Sequence, residues 1–423
     1  MNLVFIESNT TGTGMLALER ARELGFQPVL ATAEPARYAG LDATGVRIVL
    51  CDTNDTALLP GLLESTLDRI AGVTTTSEFY VVTAARVAAA LGLPGNPPDA
   101  VAICRDKGLM RRTLAADRLP SPAFALVTAD RDLEAQIAEA LALIELPCVV
   151  KPVDDTGSFS VGLCSTSAEV LAHCRAIVST TTNVRGQATA RTALIEGYLN
   201  GPEFSLEMIS SSGTHHCVGI TAKRVTPPPY FVERGHVFPA PLPETTAATL
   251  TGAARRALTA VGITHGVTHL EMKLIHGMGY VVEINARPAG GMIPEVIALS
   301  CGFDLVAAHL RAATGLPPPP PPTRFIPAGI AFLLASQELR PLPGATLREV
   351  TGVSQAEAVP GVAAVTITAA AGAPVRPPTC SYDRLGYVIA SGSGYAELAE
   401  ALDTALGHLE PALISAASPI GDR

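Results

Sequence analysis

A chain of 423 residues with a formal net charge of −9 is long enough for about two or three domains, and it lacks the basic surplus that nucleic acid or an anionic membrane selects for. Its eight cysteines lie far apart without a C-x-x-C pair, which argues against a zinc site or disulfide framework and fits a reduced, cytoplasmic chain with structural cysteines. The opening MNLVFIESN has no basic n-region, and no apolar run approaches the ~18 residues of a membrane span, so a buried first strand is expected there.

Residues 1–97 alternate strands (LVFIE, QPVLAT, VRIVL, GVTTT) with helical patterns at Met15–Leu24, Leu58–Ile70 and Ser77–Leu91, which predicts an N-terminal Rossmann-like domain built on a doubly wound parallel sheet. Gly12-Thr-Gly14-Met-Leu-Ala17 follows the first strand and opens a helix, as most of a dinucleotide fingerprint would. The same glycines also suit any tight strand-to-helix turn, and no hydride-transfer centre follows.

After the turn-rich GLPGNPPDA, residues 98–316 mix strands and helices in an α+β pattern, with a small lobe over about 124–200 and a second lobe over about 201–316. Lys107 lies in a charged helical stretch where a lysine is ordinarily solvated. Lys151 ends the apolar strand CVVKP, where an isolated ammonium is costly, and a glycine–serine loop containing Ser158 follows it. Glu196 closes the next strand. An adenine fits against the backbone of Tyr198 and Leu199, with Glu203 accepting from ribose hydroxyls; alternating acids on a solvent-facing strand is the plainer reading. Residues 226–245 are proline-rich, too long for an ordinary connection, and expected to act as a functional segment that closes over the site.

The stretch THLEMKLIHGMGYVVEINARPAGG carries the strongest signal. Period-2 geometry puts Glu283, Asn285 and Arg287 on one face, with Val282, Ile284 and Ala286 toward the core. The turn His276–Gly279 brings Glu271 beside Glu283 and Asn285. Two carboxylates, an amide oxygen and a guanidinium on one face suit Mg²⁺ and a phosphate. A polyproline run marks a linker at 317–323, and short strands with a helix at Ala396–Leu409 predict a small α+β domain over 324–423.

Taken in order, Lys107, Lys151 with its loop, Glu196-x-Tyr198-Leu199 with Glu203, Glu271 and Glu283-x-Asn285 resemble the nucleotide site of the ATP-grasp superfamily. Glu233-x-x-His236, Arg287-Pro-Ala-Gly290 and the appended C-terminal domain resemble the L-amino acid (dipeptide) ligases and carnosine-synthase-type enzymes within it. The resemblance implies an ATP-grasp fold and an ATP-dependent carboxylate–amine ligase acting on small molecules through an acyl phosphate. It makes Lys107, Lys151 and Ser158 phosphate contacts, Glu196–Leu199 the adenine hinge, and Glu203 the ribose ligand. Glu271, Glu283 and Asn285 would hold two Mg²⁺ ions, with Mn²⁺ as a substitute. Glu233 and His236 would border the amino-acid pocket, with Arg287 and Gly290 on the reacting carboxyl. His236 is a candidate base for the amine and equally a packing or orienting group. A homodimer is a possible assembly. A carboxylase-like enzyme activating bicarbonate and a nicotinamide oxidoreductase using Gly12-x-Gly14 stand as the alternatives.

Overall fold

Strands β1 (Asn2–Ile6), β2 (Gln27–Thr32), β3 (Arg47–Leu50) and β4 (Ile70–Thr74) form a parallel sheet in the order β3-β2-β1-β4. β1 has neighbours on both sides and is buried from Leu3 to Ile6, which is why its residues are apolar in succession rather than in alternation. This computed structural model describes residues 1–10, 12–38, 40–335 and 344–414. A Cβ on Gly14 would lie 1.8 Å from the Asn9 carbonyl oxygen, and one on Gly12, whose φ is 56°, 3.0 Å from Met292 Sδ. Close packing of loop and helix therefore accounts for both glycines without a dinucleotide.

The small lobe is an antiparallel sheet of β5 (Phe124–Thr128), β6 (Cys148–Pro152), β7 (Gly162–Cys164) and β8 (Thr192–Gly197), ordered β5-β8-β6-β7. Helices Leu133–Leu141 and Ser167–Ser179 pack against it through Ile137, Val170 and Cys174. The second helix starts at a capping box, in which Thr166 and Glu169 each satisfy the other's backbone N–H.

The largest sheet has eight strands. β9 (Glu203–Ser211), β10 (Thr214–Val225), β11 (Glu233–Phe238), β12 (Gly266–Ile275) and β13 (Met278–Asn285) come from the expected second lobe over about 201–316. β14 (Ala328–Leu334), β16 (Val362–Ile367) and β17 (Arg384–Ser391) come from beyond the polyproline run. The order is β13-β12-β9-β10-β11-β14-β17-β16, so the later strands extend the same hydrogen-bonded surface. β15 (Thr346–Thr351) and β18 (Glu410–Ile414) pair separately. The expected unit 324–423 includes 336–343 and 415–423, which lie outside the described residues.

Two expectations are corrected. Residues 226–245 are not one long connection, because their centre is β11, hydrogen-bonded between β10 and β14. The prolines flank that strand rather than interrupt it, leaving its backbone donors intact. In β13, Val282 does not enter the core. A bulge lies where Glu271 pairs with Glu283 but Met272 pairs with Val281, so Val281 and Ile284 are buried while Val282 faces the cavity described below.

All eight cysteines are free thiols. Among the described residues no single helix is long and apolar enough to cross a membrane.

Candidate active site

A cavity of about 840 Å³ opens where the three sheets meet, and it is lined from the loop after β1, the small lobe, the eight-stranded sheet and the turn before β17. Its floor is the hairpin β12–β13. His276 and Gly277 make the two-residue turn, both with positive φ (48° and 77°), as the tightest hairpins require. The resulting register places Glu271 directly opposite Glu283 and His269 opposite Asn285. Asn285 Nδ2 donates to Glu283 Oε1 at 2.9 Å. Arg287 follows on the same face, its Nε 2.8 Å from Glu78 Oε2 and its Nη1 donating to the Pro288 carbonyl at 2.9 Å.

Lys107 is buried rather than solvated. Asp106 caps its helix by accepting from the Leu109 N–H, which aims the Lys107 side chain inward from the first turn. Its Nζ donates to the Asp155 carbonyl at 2.8 Å and lies 3.1 Å from Glu283 Oε2. Burial works to raise the Glu283 carboxyl, but Lys107 and the Asn285 hydrogen bond outweigh it and hold the group well below the usual carboxylate range.

Lys151 Nζ lies 2.6 Å from Glu196 Oε2, and Arg111 Nε donates to the other oxygen of Glu196. Burial pulls the Lys151 ammonium downward against the opposing pull of Glu196. The same burial would raise Glu196, yet Arg111 and Lys151 bring it down to about 2. Arg111 also donates to the Val281 carbonyl at 2.6 Å and the Val282 carbonyl at 3.2 Å, so it grips the bulge that shapes the floor. The loop after Lys151 turns through left-handed Gly157, Ser158 and Ser160 and borders the cavity, Ser158 included. Tyr198 and Leu199 line the cavity beside Phe231, with the Tyr198 and Phe231 rings 5.9 Å apart. Lys273 Nζ sits over both rings and 3.6 Å from Glu203 Oε2.

Sequence reading missed the cation at the centre. Lys223 Nζ lies 2.6 Å from Glu233, 2.6 Å from Glu271 and 3.2 Å from Glu203. Burial alone would lower this ammonium; the three carboxylates raise it well above its ordinary value. Its signal lies in the register, where β10 sets Lys223 opposite Glu203 on one side and His236 on the other. His269 was missed for the same reason. It bridges Glu207 at 2.8 Å and Glu271 at 3.3 Å, and these partners overcome burial to raise it to about 10. Arg384, from the strand beyond the linker, lies 2.7 Å from Glu233 Oε2 and stacks 3.7 Å from the Phe332 ring centre.

The expected site residues line this one cavity with a single exception. His236 is buried behind its wall, its Nε2 3.7 Å from Glu233 Oε2 and 3.0 Å from where a Cβ on Gly291 would stand. Burial, the largest cause, lowers it to about 4, which leaves the ring neutral at pH 7.

For a divalent ion the donor set fits. Among the described residues no three His, Cys, Asp or Glu side chains form a self-sufficient cage. Glu271, Glu283 and the Asn285 oxygen offer hard donors on one face, and lysines hold the carboxylates in the ionised form such an ion requires.

A family model described as ATP-grasp domain matches residues 144–295, and one described as L-amino acid ligase C-terminal domain 2 matches residues 341–413. The chain is 30% identical over 391 residues to the uncharacterised protein y4rH of Sinorhizobium fredii (strain NBRC 101917 / NGR234), covering 92% of this chain and 78% of that one. It is 27% identical to carnosine synthase 1 of Gallus gallus over 65% of this chain, spanning 31% of that longer relative. Among solved structures, an L-amino acid ligase from Bacillus licheniformis superposes with a TM-score of 0.79 at 24% identity, covering 98% of each chain.

Proposed function

Since the chain belongs to the ATP-grasp family and carries the C-terminal domain of the L-amino acid ligases, we propose that it joins two amino acids by an amide bond, through an acyl phosphate, with release of ADP and phosphate. The observation that carries this reading is the cross-strand pair of Glu271 and Glu283, with Asn285 beside them and Lys107, Lys223 and Arg287 around the same floor.

Tyr198 and Leu199 offer backbone groups to adenine, and Glu203 accepts from the ribose. Lys107, Lys151 and the loop with Ser158 take the phosphates. Glu271, Glu283 and Asn285 would hold Mg²⁺, two ions in this reading, and the metal would offset the triphosphate charge that otherwise repels an approaching carboxylate. One oxygen of the substrate carboxylate, steered by Arg287, attacks the γ-phosphorus, and ADP leaves with the bridging electron pair. The amine nitrogen then attacks the acyl carbon, loses a proton, and phosphate departs. Gly290 lines the wall there and offers its N–H to the developing oxyanion, with no Cβ to obstruct approach. Glu233 and Arg384 border the amine side, and His236 packs behind them as a positioning residue.

The test is phosphate release with ATP and Mg²⁺ across amino acids, singly and in pairs, with products read by mass spectrometry. Release only with certain pairs, giving a product lighter by one water than their sum, supports the ligase. Release equal with bicarbonate alone and absent with every amino-acid pair overturns it in favour of the carboxylase-like alternative.

A further inference from the structure

Every lysine and arginine lining the cavity lies within ion-pair distance of a carboxylate except one, among the described residues. The exception is Arg185. It stands on a small hairpin of the small lobe, bridged from Thr182 to Ala188. Asn183 builds the turn, its Oδ1 accepting from the Arg185 N–H at 2.9 Å and from the Gln187 N–H at 3.1 Å. The hairpin reaches across to the N-terminal unit. Asn54 donates to the Arg185 carbonyl at 3.2 Å, and Gln187 donates to the Phe79 carbonyl at 3.1 Å. Among the described residues the Arg185 guanidinium has a single long hydrogen-bond contact, Nη2 to the Ser8 carbonyl at 3.5 Å.

The wall that shares this contact is built, not loose. Glu7, buried and held at a left-handed φ of 51°, uses its carboxylate to accept from Thr32 Oγ1 at 2.9 Å, Thr53 Oγ1 at 3.0 Å, the Ala33 N–H at 3.1 Å and the Tyr38 hydroxyl. These bonds fix the start of the loop whose Asn9 and Thr10 line the cavity. Thr76 holds that loop from the other side, its Oγ1 accepting from the Asn9 N–H at 3.0 Å. Tyr382, from the turn before β17, also borders the cavity, within 3.5 Å of where a Cβ on Gly157 would stand. The charge of a triphosphate is met elsewhere, by Lys107, Lys151 and the metal face.

We propose that Arg185 binds a carboxylate that the reaction leaves untouched. This rests on the ligase reading: joining two amino acids consumes one carboxylate and one amine, and a second carboxylate travels through unchanged. An unpaired guanidinium at a semi-enclosed wall, with amide and hydroxyl groups beside it, presents the planar two-donor fork that a carboxylate matches. The spectator carboxylate belongs either to the amine-donating amino acid or to an acidic side chain of the acyl donor.

The experiment uses the full chain loaded with Mg²⁺ and a non-hydrolysable ATP analogue. Amino acids are titrated by calorimetry, each as the free acid and as its primary amide at the α-carboxyl or the side-chain carboxyl. At least one should bind about tenfold or more tightly as the acid, since a charge-assisted pair is at stake. Arg185→Gln should erase that preference while leaving affinity for the ATP analogue within about twofold. The amide position whose acid preference disappears in Arg185→Gln tells the two sources apart. The reacting carboxylate at Arg287 has an acid preference of its own that Arg185→Gln should leave in place; if no further acid-over-amide preference exists, or if every preference is unchanged in Arg185→Gln, the proposal is overturned. Absence of phosphate release with every pair would instead strike the ligase reading, and is read in a separate assay.

Discussion

Replacing Lys223 by methionine tests the electrostatic centre of the site. The ammonium is 2.6 Å from each of two carboxylates and 3.2 Å from a third. At an effective dielectric of about 20, a contact of that length is worth roughly 6 kcal/mol. Desolvation costs several kcal/mol per ion, so the cluster as a whole roughly offsets its own burial. Removing only the cation is different, because it leaves Glu233 and Glu271 as buried like charges that Arg384 and His269 only partly offset, at a cost of about 3–5 kcal/mol. With a urea slope of roughly 3 kcal/mol per M for a chain of this size, the midpoint should fall by about 1–1.7 M at pH 7. The loss must also depend on pH. Glu233 is held well below its ordinary value, with Lys223 the chief cause opposing burial. Its contribution is present above the unfolded carboxyl value of about 4.3 and lost as pH falls through the lower folded value. The gap between wild type and Lys223→Met should therefore narrow in urea melts taken below about pH 4. An unchanged midpoint at pH 7, or a gap that stays constant into acid, would refute the reasoning.

Three further outcomes are expected. Glu283→Gln should cost about 1–3 kcal/mol of stability by loosening Lys107, and should cut ADP release at least about a hundredfold if Glu283 holds the metal as proposed; turnover within tenfold of wild type would mean the proposed metal face is misplaced. Lys151→Ala should weaken ATP binding in calorimetry by about tenfold or more, and equal affinity would remove Lys151 from the phosphate contacts. His269, raised to about 10, contributes stability that is fully present below its unfolded value of about 6.5 and is lost as pH rises through about 10. Thermal melts of His269→Gln should thus lack a stability decline of a few kcal/mol between pH 6.5 and 10 that wild type shows, and parallel curves would count against the Glu207–His269–Glu271 bridge.

The parts of this site that were legible in the sequence are those set by local geometry. A two-residue turn flanked by period-2 strands is enough to bring Glu271 to Glu283, because register follows from turn length. The bulge at Val282 was not legible, since a bulge is defined by the partner strand and by Arg111 gripping its carbonyls from 170 positions away. Lys223, His269 and Arg384 were missed for a related reason. Each looks like an ordinary strand residue until non-local pairing reveals its opposing acids, and Arg384 meets Glu233 across 151 positions. The sequence leaves His236 open between base and packing group, and only three-dimensional packing shows the ring buried beside Glu233 rather than lining the cavity. β11 was hidden because dense prolines dominate the composition of its flanks and mask six residues that keep every backbone donor.

The eight-stranded sheet also constrains how this enzyme can be recombined. β11 joins β14 through four register pairs, from Gly235 with Ala331 to Phe238 with Ala328, and Gly235 has no room for a side chain, since a Cβ there would lie 2.6 Å from the Ile330 carbonyl oxygen. A C-terminal segment transplanted from a relative would have to reproduce that seam, or it would leave a raw strand edge open to self-association. The seam also carries Arg384 to Glu233, so a graft that joins badly would shift that ion pair at the cavity wall as well. Chimeras cut within the polyproline run therefore test compatibility of two strand edges before they test any change in substrate choice.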